Sequence, residues 1–257
     1  MSQVTNMPTN RYGSIAAEVY DLDKPIGGAL YTPFHLRRLA KVAGPILEPA
    51  CGSGRFMIPL LEAGRDVSGF DASADMLERC RSRCAERGLS PDLSLQRWED
   101  FHYDRAFSAI VVPVASFNLI DHFATAVRVL RRFHQHLAAR GLLMLDIQPL
   151  SALAAQADDR RSWRAANSDL LTCDGRRQGI DWLEQRERHH TRYERWRDGR
   201  LVETQLEPMA LRYWGIEEFK LVLRDAGFGE INVVGNHNRG RAPRSADRIL
   251  TFEAVRL

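Results

Sequence analysis

An acid, three intervening residues and a Gly-x-Gly turn stand together at Glu48-Pro49-Ala50-Cys51-Gly52-Ser53-Gly54, straight after the apolar run Ile46-Leu47. Downstream, Asp66-Val67-Ser68-Gly69-Phe70 reads as a second short strand and ends in Asp71. In a βαβ unit these parts hold a nucleoside. Glycines let the backbone approach closely, and the second-strand acid accepts hydrogen bonds from ribose hydroxyls. The turn is not a dinucleotide fingerprint, because Met57 occupies the place of the third glycine. Glu48 would also repel a pyrophosphate, whereas beside a cationic amine it is favourable. The residues therefore ask for a ribose and an ammonium without phosphate, a description that S-adenosylmethionine fits.

These groups need strands to carry them and helices to cover the strands. Pro45 to Glu48 reads as a buried strand, Phe56 to Ala63 as a helix ended by Gly64, and Ser73 as the cap of a helix running to about Glu86. Leu93 to Gln96 is a third strand and Phe107 to Val114 a fourth, nearly all apolar as for a strand covered on both faces. Ala124 to Ala138 has apolar residues at helical spacing, closes at Gly141 and leads into a fifth strand, Leu142 to Ile147. Strands separated by such helices predict an α/β fold with a doubly wound parallel sheet. Ser151 to Thr172 is polar and open to a helical reading. Asp181 to Trp196 and Leu201 to Tyr213 alternate about Asp198-Gly199, which predicts one long antiparallel hairpin. Ile216 to Asp225 is an amphipathic helix, and Ile231 to Val234 and Ile249 to Ala254 are the last strands.

Composition places the chain among ordinary soluble proteins. It has 257 residues, 44% hydrophobic and 27% charged, enough to bury one substantial core without a metal or disulfide staple. A formal net charge of +3, with arginines interleaved among acids, is too small to indicate nucleic acid. Met1 to Asn10 is polar and does not read as a signal peptide, and Ala106 to Ile120 contains Pro113 and falls short of a membrane span. A reducing, cytoplasmic setting is expected. Cys80 and Cys84 lie four apart on a helix with no second pair, and His189-His190 point to opposite faces of a strand, so no metal site is expected. His134 and His136 fall on the helix before the fifth strand, away from the ligand edge.

The chain resembles the class I S-adenosylmethionine-dependent methyltransferases, and more narrowly their glycine-type and amino-sugar N-methyltransferase branch. Glu48 to Gly54 corresponds to the family's first motif, and Gly69-Phe70-Asp71-Ala72-Ser73-Ala74-Asp75-Met76-Leu77 matches its Gly-x-Asp-x-Ser-x-x-Met-Leu. Arg97-Trp98-Glu99-Asp100-Phe101, Pro113 to Asn118, Leu211-Arg212-Tyr213-Trp214 and Ala226-Gly227-Phe228 resemble later segments of that branch. Two departures stand out: Arg97 replaces an acid that often meets the adenine amine, and Ser108 an aspartate opening the fourth strand. The resemblance implies a Rossmann-like, mainly parallel seven-stranded sheet with an antiparallel last strand and an inserted hairpin. It also implies one domain: an N-terminal helical lid over 1–44, a cofactor core over 45–150, a substrate-side insert over 151–214 and a C-terminal helix with two strands over 215–257.

On that resemblance Asp71 meets the ribose, or else caps a helix, and Glu48 meets the methionine ammonium, or else is a loop acid. Ala50, Gly52 and Gly54 admit the backbone. Arg55 meets the methionine carboxylate or pairs with an acid. Met76 and Trp98 sandwich adenine or pack in the core, with Ala72, Glu99 and Pro113 completing the cofactor site. Methyl transfer is an in-line displacement that needs alignment and, for a protonated nucleophile, a base. His122, beyond the fourth strand, is the expected base, its rival reading being a surface histidine. Tyr20 and Tyr31 orient the nucleophile or pack in the core. Tyr12, Phe117, Asn118, Trp182 and Tyr213 are expected to shape the acceptor pocket. The methyl acceptor is a nitrogen, or else an oxygen, of a small molecule, with no nucleic acid or membrane partner, and the chain is a monomer or homodimer. A nicotinamide-dependent oxidoreductase and a non-catalytic cofactor-binding protein are the alternatives, the first disfavoured by Met57 and Glu48. A nucleic-acid methyltransferase is disfavoured by Pro113-Val114-Ala115-Ser116, which lacks the Pro-Pro-aromatic signature.

Overall fold

A computed structural model describes residues 10–28, 31–155 and 159–257. Two helices open it, α1 (Ser14–Asp23) and α2 (Tyr31–Leu39). The chain then runs β1 (Ile46–Pro49), α3 (Met57–Glu62), β2 (Val67–Asp71), α4 (Ala74–Ala85), β3 (Asp92–Leu95), β4 (Phe107–Val112), α5 (Phe123–His136) and β5 (Leu137–Ile147). Four antiparallel strands follow, β6 (Asp159–Arg164), β7 (Leu170–Asp181), β8 (Arg186–Arg197) and β9 (Arg200–Arg212). The last elements are α6 (Ile216–Asp225), β10 (Phe228–Gly235) and β11 (Leu250–Arg256).

The first sheet has seven strands in the order β3-β2-β1-β4-β5-β11-β10. Its strands run parallel except β11, which lies antiparallel to both β5 and β10. This is the expected doubly wound sheet with a reversed last strand. Alternation in β1 shows how it is buried. Ile46 joins the apolar layer under α2, α3 and α4, and Leu47 joins the aromatic layer under α5 and α6, where Phe133 and Phe219 are fully buried. Truncating such a phenylalanine to alanine costs about 3–5 kcal/mol.

Two sequence expectations are corrected. The insert is a four-stranded sheet, not one hairpin: residues 159–181, expected to include a helical or irregular stretch, form β6 and β7, which pair from Asp159↔Gly175 to Arg164↔Leu170. Their exposed, arginine-rich outer face hides the strand alternation. The Asp198-Gly199 turn does join β8 to β9 as read. At the other junction α5 stops at His136 and β5 begins at Leu137, five residues before the expected start. Leu137 is fully buried and pairs with Phe107, and the register with β4 shifts before Ala109↔Leu142. Gly141 serves this irregularity, not the helix end, because a Cβ there would lie 2.8 Å from the Ala138 carbonyl oxygen. Among the described residues, no helix is long and apolar enough to cross a membrane.

Candidate functional site

The chain leaves β1 sharply. Ala50 has a left-handed backbone (φ 51°), and Gly54 (φ +81°) cannot carry a side chain because a Cβ would meet Cys80 Sγ at 2.7 Å. Asp71, at the end of the neighbouring β2, ties this turn down. Its Oδ2 accepts from the Gly52 N–H at 2.9 Å and its Oδ1 from the Ser73 N–H at 2.8 Å. Ser73 Oγ accepts from the Met76 N–H at 3.2 Å, capping α4 as expected. Glu48 lies buried beneath the turn, and its Oε2 has no hydrogen-bond partner. Burial, with the charge of Asp71 adding to it, pushes the Glu48 carboxyl well above the ordinary glutamate range. Burial also raises Asp71, against its backbone hydrogen bonds. An orphaned buried carboxyl beside a second carboxyl is a site that a positive group would stabilise.

Above this turn opens a cavity of about 1300 Å³. Its near wall is Ala50, Gly52, Asp71, Ala72, Met76, Trp98 and Glu99, all expected cofactor contacts. Trp98 stands edge-on to Phe70 with ring centroids 6.0 Å apart. The N-terminal segment closes one side through Tyr12 and Tyr20, whose rings meet edge to face at 6.1 Å. Burial raises both phenols, so they stay protonated hydroxyls. The segment is stitched in place from three directions. Ser73 Oγ donates to the Tyr12 carbonyl at 2.8 Å, and the Asn10 amide donates to the carbonyls of Leu119 and Ala210. At the start of α1, the N–H groups of Gly13 and Ile15 donate to Glu207 and Gln205 of β9, so strand side chains cap the helix.

The far wall is the insert sheet, with Gln178, Arg188, His189, His190 and Glu207, together with Asp121 and His122. Here the structure reveals a group that sequence reasoning missed. His189 Nε2 lies 2.8 Å from Oε1 of buried Glu187, which also accepts from the Tyr213 hydroxyl. Arg177 holds the other oxygen at 2.7 Å. These partners keep Glu187 ionised, below the usual glutamate range in spite of burial. A carboxylate accepts only, so Nε2 of His189 carries a proton, and the neutral ring would hold its lone pair on Nδ1. The signal in the sequence was the i,i+2 spacing of Glu187 and His189, which puts both on one strand face.

His122 also borders the cavity but is differently placed. Its Nδ1 lies 3.2 Å from an Arg186 N–H, and arginine only donates, so that lone pair is engaged. Its side chain is 67% exposed, with Asp121 at 3.8 Å from Nε2.

Other expected site residues lie off the cavity wall. Glu48, Gly54, Arg55 and Pro113 do not line the cavity. Tyr31 is buried under the Arg55 guanidinium, 4.9 Å from its ring centre, and burial raises its hydroxyl to about 12. Phe117 is fully buried among Phe133, Trp214 and Phe219 because the 3-10 turn after β4 points it into the core. Asn118 is occupied in bridging the backbone of Gln148 and Arg212. Trp182 stands 62% exposed on the β7–β8 turn, and Tyr213 is spent on Glu187. Phe117, Asn118, Trp182 and Tyr213 are not among the residues lining the cavity.

Residues 46–141 match a family model described as a methyltransferase domain. An amino-sugar enzyme of Streptomyces fradiae, dTDP-3-amino-3,6-dideoxy-alpha-D-glucopyranose N,N-dimethyltransferase, is 29% identical over 153 residues, 56% of this chain and 58% of that protein. The glycine/sarcosine N-methyltransferase of Halorhodospira halochloris is 32% identical over 116 residues, 44% of this chain and 43% of that protein. The chain thus spans about half the length of the curated relatives it matches. An S-adenosylmethionine-dependent methyltransferase of Clostridium acetobutylicum superposes with a TM-score of 0.77 at 17% identity, over 93% of this chain and 97% of that one. A sugar N-methyltransferase from a Streptoalloteichus species gives 0.76 at 18% identity, over 100% and 98%. At such identities the superpositions speak for the fold. They show that this chain has the fold of these methyltransferases, and residues 46–141, which hold the glycine turn and Asp71, are the segment that matches the methyltransferase-domain model.

Proposed function

We propose that the chain transfers a methyl group from S-adenosylmethionine to a nitrogen of a small-molecule acceptor, with an amino sugar as the acceptor class. The observation that carries this reading is the orphaned Glu48 carboxyl beneath a turn pinned by Asp71: one end of the site asks for a cation and the other offers carboxylate oxygens to a diol. The cavity, about 1300 Å³, exceeds the roughly 300–1,000 Å³ of a site for one small ligand, which supports a donor and an acceptor side by side. The amino sugar rests on the names of the relatives. Nothing in the turn favours the nicotinamide alternative, since Met57 stays buried in the third-glycine place.

The bound donor supplies an electrophilic methyl on a sulfonium. The protein's part is to hold, orient and deprotonate. Asp71 takes the ribose hydroxyls on the lone pairs that Gly52 and Ser73 leave open, Glu48 attracts the ammonium from beneath the turn, and Met76 and Trp98 flank the base. Tyr12 and Tyr20 close the cavity and exclude water. His189, fixed in one tautomer by Glu187, accepts the acceptor's proton on Nδ1. His122, its lone pair held by Arg186, orients the acceptor. Location in the cytoplasm belongs to the same reading and is supported by four free, buried cysteines. So do a small-molecule partner in place of nucleic acid or membrane, and a monomer or homodimer.

Calorimetry with S-adenosylhomocysteine tests the cofactor half. Asp71→Ala is expected to weaken binding by roughly 2–3 kcal/mol, as for lost charge-assisted hydrogen bonds. Unchanged affinity, or stabilisation by NADH instead, overturns the assignment. A labelled-methyl assay across amines, hydroxy-aromatics and amino sugars tests the acceptor half.

A further inference from the structure

On the sheet face opposite the aromatic layer, three residues distant in sequence converge: His35 of α2, Asp146 of β5 and His237 in the loop after β10. Their ligand atoms all lie within 4.8 Å of one another. His35 and Asp146 are fully buried. None of the three lines the cavity described above.

The hydrogen positions make the cluster informative. His35 Nδ1 lies 2.8 Å from the Tyr31 carbonyl oxygen, which can only accept, so Nδ1 carries the proton. Nε2 then faces Asp146 Oδ1 at 3.3 Å and has no hydrogen-bond partner. His237 Nε2 hydrogen-bonds Asp146 Oδ2 at the same distance, 3.3 Å. A buried carboxylate thus stands between two imidazole nitrogens, the arrangement of a cation's donor set.

A proton alone fits poorly, since charge-assisted N–H to carboxylate pairs close to about 2.7–2.9 Å. A shared ion fits the two nitrogen–oxygen distances better. Ligand bonds of about 2.0–2.1 Å in a tetrahedral site put neighbouring donor atoms about 3.3 Å apart. Supporting contacts are also in place. Thr251 Oγ1 donates to Oδ1 at 2.6 Å, the Val114 N–H donates to Oδ2 at 3.0 Å, and the Tyr31 carbonyl fixes the His35 tautomer. Such outer hydrogen bonds to imidazole and carboxylate ligands are what orient a metal's donor set. His237, its side chain 11% exposed, gives the entry side.

We propose that His35, Asp146 and His237 bind a divalent transition ion of the zinc class, two imidazoles and a carboxylate being its donor set. The ion is structural. It ties α2 to the end of β5 and to the β10–β11 loop, and through Val114 it steadies the left-handed pair Val114 (φ 58°) and Ala115 (φ 61°), behind the cavity-lining Ser116. No spacing in the sequence announces this site.

The test uses untagged full-length protein, first treated with a chelator and then melted with and without Zn²⁺ or Co²⁺. Wild-type protein is expected to bind about one ion per chain by elemental analysis, and its Tm to rise by roughly 5–10 °C at a hundredfold excess over Kd. His237→Ala, at the rim, is expected to keep its circular dichroism and lose the shift, and His237→Gln to behave alike. No binding and no shift in wild-type protein overturn the proposal and leave His35 as an imidazolium paired with Asp146. An undiminished shift in His237→Ala overturns it equally, because the ion then sits elsewhere.

Discussion

At the scale of single residues, Glu48 is the side chain whose environment is least satisfied. Burial holds its carboxyl above the ordinary glutamate range, so in the ligand-free protein the neutral form is favoured. The stability this contributes is complete below the unfolded value near 4.3 and is lost as pH rises through the raised folded value. Glu48→Gln stays neutral at every pH. Thermal melts between pH 5 and 9 are therefore expected to show the ligand-free variant gaining on wild type as pH rises, while its stabilisation by S-adenosylhomocysteine shrinks. A variant with unaltered ligand stabilisation would dismiss Glu48 as the ammonium partner. The second residue-scale prediction separates two histidines. His189→Gln is expected to lower turnover by roughly 10²–10⁴-fold, the contribution of a general base, and His122→Ala by tenfold or less. Glu187→Gln keeps an acceptor for His189 but removes the charge, and turnover is expected to fall at least tenfold with S-adenosylhomocysteine affinity unchanged. The reverse order of the two histidines would return the base to His122.

At the scale of elements, α1 depends on a strand from the other sheet. Its first N–H groups end on Glu207 and Gln205 of β9, and its body is held by Asp21 to Arg79 and Arg83, 2.5 and 2.6 Å away, and by Glu18 to Arg195 at 2.6 Å. Losing a helix cap costs about 1 kcal/mol. The double variant Gln205→Ala, Glu207→Ala is expected to open the α1 segment to protease while the sheet core stays resistant. Bound S-adenosylhomocysteine should slow that cleavage; if it does not, α1 is no lid. Elements also divide by how legible they were. The glycine turn, Asp71, the Ser73 cap and the Asp198-Gly199 turn are local chemistry, readable because neighbours in sequence decide them. β6 was missed because Arg160, Arg161 and Ser162 are exposed on both faces of the strand, which leaves Trp163 as its one large apolar residue. The β5 start was missed because pairing of Leu137 with Phe107, a tertiary contact, ended α5 before its own pattern did.

At the scale of the molecule, what the sequence withheld is what distant segments make together. Glu187 and His189 are two apart, yet their meaning depends on Tyr213 and Arg177 arriving from elsewhere. His35, Asp146 and His237 come from three regions with no spacing in common. Residues 10–13 are the plainest case. Tyr12 is bonded to Ser73 beside Asp71, while Asn10 and Gly13 are bonded to β9, so one short strap touches the donor side and the acceptor side of the cavity at once. Whatever orders the strap from one side has already met part of the entropy that ordering it from the other would demand. The two ligands should therefore favour each other by a common factor, and that factor must be identical whichever is added first. Titrating S-adenosylhomocysteine with and without a saturating amine, then the amine with and without S-adenosylhomocysteine, would yield one number twice. Equality at unity would mean that the strap is rigid before either ligand arrives. A factor above unity would make each ligand a sensor of the other, and the protein would let go of its spent donor most readily once the methylated product had gone.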